Sequence, residues 1–122
     1  MEMGTFSPME ALKKTAQFAE VYQKGKAYGS KLLVLYVLNS DEDRKAGRLG
    51  ISVSKKVGNS VVRHRIRRLI KESFRLHKSE WAARDYVVVA RKEAAGKSYE
   101  ELEETLFRLG EKSNTLGKGE NV

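Results

Sequence analysis

The chain has no cysteine, one proline and two histidines among its 122 residues. Without thiols it can form neither a disulfide nor a thiolate metal site. The two histidines, His64 and His77, sit in basic sequence and fall short of a zinc site. No apolar run approaches the roughly 18 residues that cross a bilayer. The first residues also lack the charged start and apolar stretch of a secretory signal. Acids are scarce in one place above all. From Ser54 to Arg75 eight Lys and Arg side chains face a single Glu72, a net of +7 in a chain of net +8. The expectation is a soluble, cytoplasmic, single-domain protein with a modest core.

That segment, SKKVGNSVVRHRIRRLIKESFR, reads as a helix with a defined start. Gly58 offers the strained backbone of a turn, and Asn59 is a good N-cap for a helix from Ser60. At about 100° per residue, Val62, Ile66, Leu69, Ile70 and Phe74 share one face. His64, Arg68, Lys71 and Arg75 lie opposite, flanked by Arg63, Arg65 and Arg67. Like charges this close repel by a few tenths of a kcal/mol per pair. A polyanion would relieve that cost, so the pattern points to nucleic acid rather than to a merely solvated face.

Residues 1–8 are expected to be a disordered extension, 9–110 the domain and 111–122 a flexible tail. Thr15 can cap a short helix that stops at Gly25. Its Phe18, Val21 and Tyr22 suit core packing, and two aromatics on one turn also suit stacking on bases. Lys31–Leu38, KLLVLYVL, reads as a largely buried strand and Asn39–Gly47 as a polar turn. Arg48–Ser54 alternates, with Leu49, Ile51 and Val53 on one side and Gly50, Ser52 and Ser54 on a shallow second side. These two strands are expected to form an antiparallel hairpin. Tyr86–Ala90 is a β-branched run suited to a central strand, so the basic helix becomes a parallel crossover. Ser98 and Glu101 form a capping box for a last helix, with Leu102, Leu106 and Leu109 buried and Gly110 at its end.

Chemistry is harder to find. A nuclease needs an acid and a base, or carboxylates that hold metal ions. The histidines are 13 residues apart, about 140° from each other around a helix, and the acids show no metal-site spacing. The turn K-V-G-N lacks the length and the Lys-Ser/Thr pair of a phosphate loop. The residues describe a binding module.

The stretch GISVSKKVGNSVVRHRIRRLIKESFR strongly resembles the signature of the protein subunit of bacterial ribonuclease P. The similarity extends from F-x-x-V-Y-x-x-G at Phe18–Gly25, through LYVL, to VVVARK at Val87–Lys92, about residues 9 to 110 in all. The resemblance implies an α/β (α+β) two-layer sandwich, ribosomal-protein-S5-like, with a mixed sheet of about four strands. It also implies a left-handed βαβ crossover, against the usual preference. By the same resemblance the protein assists Mg²⁺-dependent removal of the 5′ leader from precursor tRNA, the catalytic RNA subunit carrying the chemistry and most of the Mg²⁺. Catalytic RNA would be met by Lys55, Lys56, Arg63, His64, Arg65, Arg67, Arg68, Lys71 and Arg75. The leader would lie on Phe18, Tyr22 and Tyr36 beside Ser52 and Ser54, which favours the stacking role for the two helix aromatics. Its implied partners are that RNA and precursor tRNA, with no membrane and no protein partner required.

One position departs from the family pattern. Where the family reads R-N-R, this chain reads Arg63-His64-Arg65. Imidazole donates and accepts like an amide, with a different reach and a variable charge. Two other classes stay open: a ribosomal or general RNA-binding protein of similar fold, and an autonomous nuclease using His64 or His77.

Overall fold

Short β-branched runs and three amphipathic helices organise the computed structural model, which describes residues 9–12, 14–39, 47–77 and 80–113. The elements are β1 (Met9–Ala11), α1 (Thr15–Lys24), β2 (Lys26–Gly29), β3 (Leu33–Leu38), β4 (Gly47–Val53), α2 (Ser60–Leu76), β5 (Asp85–Ala90) and α3 (Tyr99–Lys112). The described strands form one mixed sheet in the order β1-β4-β5-β3-β2. Four of them hold four residues or more, and β1 adds a three-residue parallel edge to β4. The expected extension at 1–8 and the tail from Asn114 lie outside the described residues.

The hairpin expected between Lys31–Leu38 and Arg48–Ser54 does not form. β5 inserts between them, parallel to β4 and antiparallel to β3, while β3 pairs on its other side with β2. β5 is buried along almost its whole length, so it gains most at the centre, where both faces are covered. The crossover β4–α2–β5 is parallel, as the sequence suggests. The strand Lys26–Gly29 was not anticipated. Its residues are mostly exposed and show no strong alternation, as an edge strand allows.

Strand alternation sorts the sheet into two faces. Leu33, Leu35, Val37, Leu49, Val53, Tyr86, Val88 and Ala90 pack with Ile66, Ile70 and Phe74 of α2 and with Leu102, Leu106 and Leu109 of α3. This layer pair is the main core. Among the described residues the opposite face carries α1 alone of the helices, and its Val21 packs with Leu12 and Val87 beside Phe18 and Tyr36. At one end of that face Arg48 forks onto the buried Asp85, at 3.0 and 2.8 Å. Gly25 ends α1 as expected, for a reason of space: a Cβ there would come within 2.6 Å of the Val21 carbonyl and 2.8 Å of the Val37 carbonyl.

Helix termini refine the sequence reading. Thr15 is the first helical residue of α1 and Lys14 its N-cap, with the Lys14 N–H donating to Gln17 Oε1. Ser98 and Glu101 form the expected capping box. The Ser98 backbone N–H helps hold the Glu101 carboxyl below its ordinary range. α3 runs past the buried Gly110 to Lys112, so Gly110 is a packing position rather than a stop. Residues 111 and 112 belong to the helix and not to the tail.

A polar clamp joins the far end of α2 to α3. His77 Nε2 lies 2.8 Å from Glu103 and Nδ1 lies 3.1 Å from Glu80, with the imidazole edge-on to Phe107. Tyr99 also donates to Glu103, and burial with that carboxylate pushes its hydroxyl up to about 12. Burial alone would lower the His77 pKa, but the bonds to both carboxylates outweigh it and raise it. The folded state therefore holds this proton more tightly than the unfolded chain does. The resulting stability is complete below the unfolded value of 6.5 and is lost as pH rises through the higher folded value. Thermal melts between about pH 5 and 8 should show this decline, and His77→Gln should flatten it. A variant profile parallel to the native one would place the titrating group elsewhere.

Candidate RNA interface

The basic face begins at a turn built by β4 and α2 together. Ser54 closes it, its hydroxyl accepting from the Lys56 N–H and its carbonyl from Val57, so Lys55 and Lys56 are held out in solvent. The Asn59 side chain caps α2 by accepting from the Val62 N–H at 3.0 Å. Gly58 is not in a left-handed conformation. It is needed for room instead, because a Cβ there would meet the Val62 side chain at 2.8 Å. Arg63 Nε donates to the Gly58 carbonyl, which locks turn to helix.

From this start α2 buries Ile66, Ile70, Ser73 and Phe74. The same period turns His64, Arg65, Arg68, Lys71 and Arg75 outward, with Arg63 and Arg67 half-buried at the flank. Arg75 forks onto Glu72 one turn back, and that pair holds the carboxyl of Glu72 below its ordinary value. Among the described residues no ion pair involves Lys55, Lys56, Arg63, Arg65, Arg67, Arg68 or Lys71. The first turn of α2 carries no acid, although the positive end of a helix favours one. The face is thus a dense, unneutralised array of cations, complementary to a polyanion.

The second surface lies on the opposite side of the sheet, against α1. Phe18 rests directly on Gly50, where a Cβ would come within 2.6 Å of its ring. Tyr22 follows at 6.5 Å from Phe18 and meets Tyr36 edge-on at 4.9 Å. Phe18 and Tyr36 are half-buried and Tyr22 is 39% exposed. Each ring therefore keeps part of its surface open. Beyond this wall the next row of the sheet runs Ser52, Val89, Val34 and Gly29 by direct pairing, a floor of small side chains. Wall and floor together make the candidate cleft between α1 and the sheet.

Phe18, Tyr22 and Tyr36 meet in one wall, and Ser52 lies in the neighbouring row of the same face of the sheet. Ser54 lies just past the strand end, its side chain engaged in the turn. The floor residues Val34, Val89 and Gly29 escaped the sequence reading, because only the strand order makes them neighbours of Ser52. Gly50 carried a signal, a glycine within an alternating strand. The two histidines do not meet. His64 is exposed among the arginines, while both ring nitrogens of His77 are engaged with Glu80 and Glu103. Among the described residues no group of three or more His, Asp or Glu could hold a metal ion. No described helix is long and apolar enough to cross a membrane.

Comparison with known proteins gives one consistent result. The family model described as Ribonuclease P matches residues 6–114. The ribonuclease P protein component of Lachnoclostridium phytofermentans is 47% identical over 112 residues, covering 91% of this chain and 95% of that one. The solved RNase P protein of Staphylococcus aureus superposes with a TM-score of 0.79 at 37% identity, over 86% of this chain and 95% of its own. The RNase P protein of Thermotoga maritima gives a TM-score of 0.73 at 27% identity, over 82% and 94%.

Proposed function

The chain belongs to the ribonuclease P protein family, and from that premise we propose how its two surfaces divide the work. It is the protein subunit of an RNA–protein endoribonuclease that matures the 5′ end of tRNA, and its partner is the ribonuclease P RNA. On our reading, α2 and the turn before it hold that RNA through Lys55, Lys56, Arg63, Arg65, Arg67, Arg68 and Lys71. Arg75, tied to Glu72, makes a lesser contribution. The cleft between α1 and the sheet takes the single-stranded leader of precursor tRNA.

The observation that carries the leader assignment is the partly open wall Phe18–Tyr22–Tyr36 above a floor of small side chains. Unpaired bases can stack on such ring faces, whereas paired bases offer no free face. The floor leaves room for an extended backbone beside Ser52. Because β4 runs from the cleft straight into Ser54, Lys55 and Lys56, one strand links leader site and basic face. Mg²⁺ would be held by the RNA phosphates, and this chain's residues would orient the substrate and neutralise charge. The reading places the protein in the cytoplasm, beside newly made precursor tRNA. The test is the affinity of the holoenzyme for precursor tRNA relative to mature tRNA. That ratio should exceed one; a ratio of one contradicts the leader cleft.

A further inference from the structure

Among the described residues three large apolar side chains are exposed: Tyr22, Val61 and Leu76. Tyr22 has its place in the cleft. Val61, 74% exposed, stands on the outer side of the first turn of α2, in the middle of the basic face. His64 and Arg65 lie three and four residues on and border it on the helix surface, and Arg68, a further turn along, lines the depression around Val61. These long side chains rise around a short one and leave an open depression that Leu69 also lines. An apolar β-branched group makes no bond to phosphate, so a surface built for phosphates alone does not require it. Valine is also a poorer helix former than alanine, so the free protein does not benefit either.

We propose that this depression receives one unpaired nucleotide of the ribonuclease P RNA, its base against Val61 and its phosphate between Arg65 and Arg68. The inference rests on the reading of α2 as the RNA-binding face and adds a position that reads an unstacked base. Two features of the site favour such an occupant over duplex RNA. An exposed apolar floor needs a partner with an apolar face, and a base pair within a helix hides its faces. Guanidinium planes at the rim can stack on a base as well as bind phosphate.

Val61→Ala separates this role from a structural one. Alanine is the better helix former, so the melting temperature should hold or rise. Affinity for the ribonuclease P RNA should nonetheless fall by about threefold to tenfold, the loss expected for two partly covered methyl groups. The salt dependence should not change, because no charge is removed. Val61→Ile, which keeps the apolar branch, should retain native affinity. Native affinity in Val61→Ala, an equal loss in Val61→Ile, or a loss that parallels a fall in melting temperature would each overturn the proposal. If the double alanine variant of Arg65 and Arg68 weakens binding while Val61→Ala does not, the face holds phosphates only and the nucleotide site fails. If neither weakens it, the RNA-face reading fails as well.

Discussion

Replacing Arg65 and Arg68 together with alanine is expected to weaken assembly with ribonuclease P RNA by about tenfold near physiological salt. The slope of log affinity against log salt should fall at the same time by about one to two units, on a basis of about 0.7 to 0.9 per phosphate contact. Both side chains are exposed, and among the described residues neither has an acid within ion-pair distance. Their removal should therefore cost the fold little. Alanine suits a helix, and thinning a row of like charges relieves repulsion between neighbouring turns. The loss of affinity is then a loss of contacts with RNA rather than of structure. Equilibrium binding across a salt series measures affinity and slope in one experiment. An unchanged slope would put the RNA interface on another part of the surface.

Tyr22→Leu and Phe18→Leu should each lower the preference of the holoenzyme for precursor over mature tRNA by about fivefold to a hundredfold. That range corresponds to roughly 1–3 kcal/mol for one stacked base. Leucine is the informative replacement, because it keeps most of the apolar volume and removes the π-face. Alanine would also open a hole beside Val21 and Gly50 and would mix stability with binding. Affinity for mature tRNA should barely change, since it has no leader to lose. The larger effect is expected at Tyr22, the most exposed of the three rings. If folded variants leave the ratio at its native value, the rings serve packing only. The assignment of α2 would stand regardless, since it lies across the sheet from these residues.

The part of the fold that sequence conveys best is the part governed by local period and charge. α2 could be read with its cap at Asn59 and its buried stripe because one segment supplies both its apolar face and its excess of cations. Ser98 and Glu101 likewise announce α3 through contacts three residues apart. Strand order is different, being a property of the whole sheet. KLLVLYVL and RLGISVS look like partners in a hairpin, and nothing in either run says that β5 is the better neighbour of both. That one nonlocal fact also hid half of the cleft, since Val34 and Val89 reach Ser52 only through β5. Alternation alone still placed Gly50 and Ser52 on one face. It could not reveal that Phe18 sits on Gly50, a contact between elements some thirty residues apart. Gly58 shows a subtler failure: the right residue was singled out, but crowding by Val62 rather than backbone strain requires it.

The central claim is that this chain contributes binding while the RNA subunit contributes catalysis, and reconstitution tests it most directly. Precursor tRNA is incubated at low Mg²⁺ with the protein alone, with ribonuclease P RNA alone, and with both, and release of the 5′ leader is followed. The account predicts efficient cleavage only when both are present, because the cations of α2 offset RNA charge that high Mg²⁺ would otherwise have to screen. Cleavage by the protein alone, or an RNA reaction unchanged by adding the protein, would contradict it.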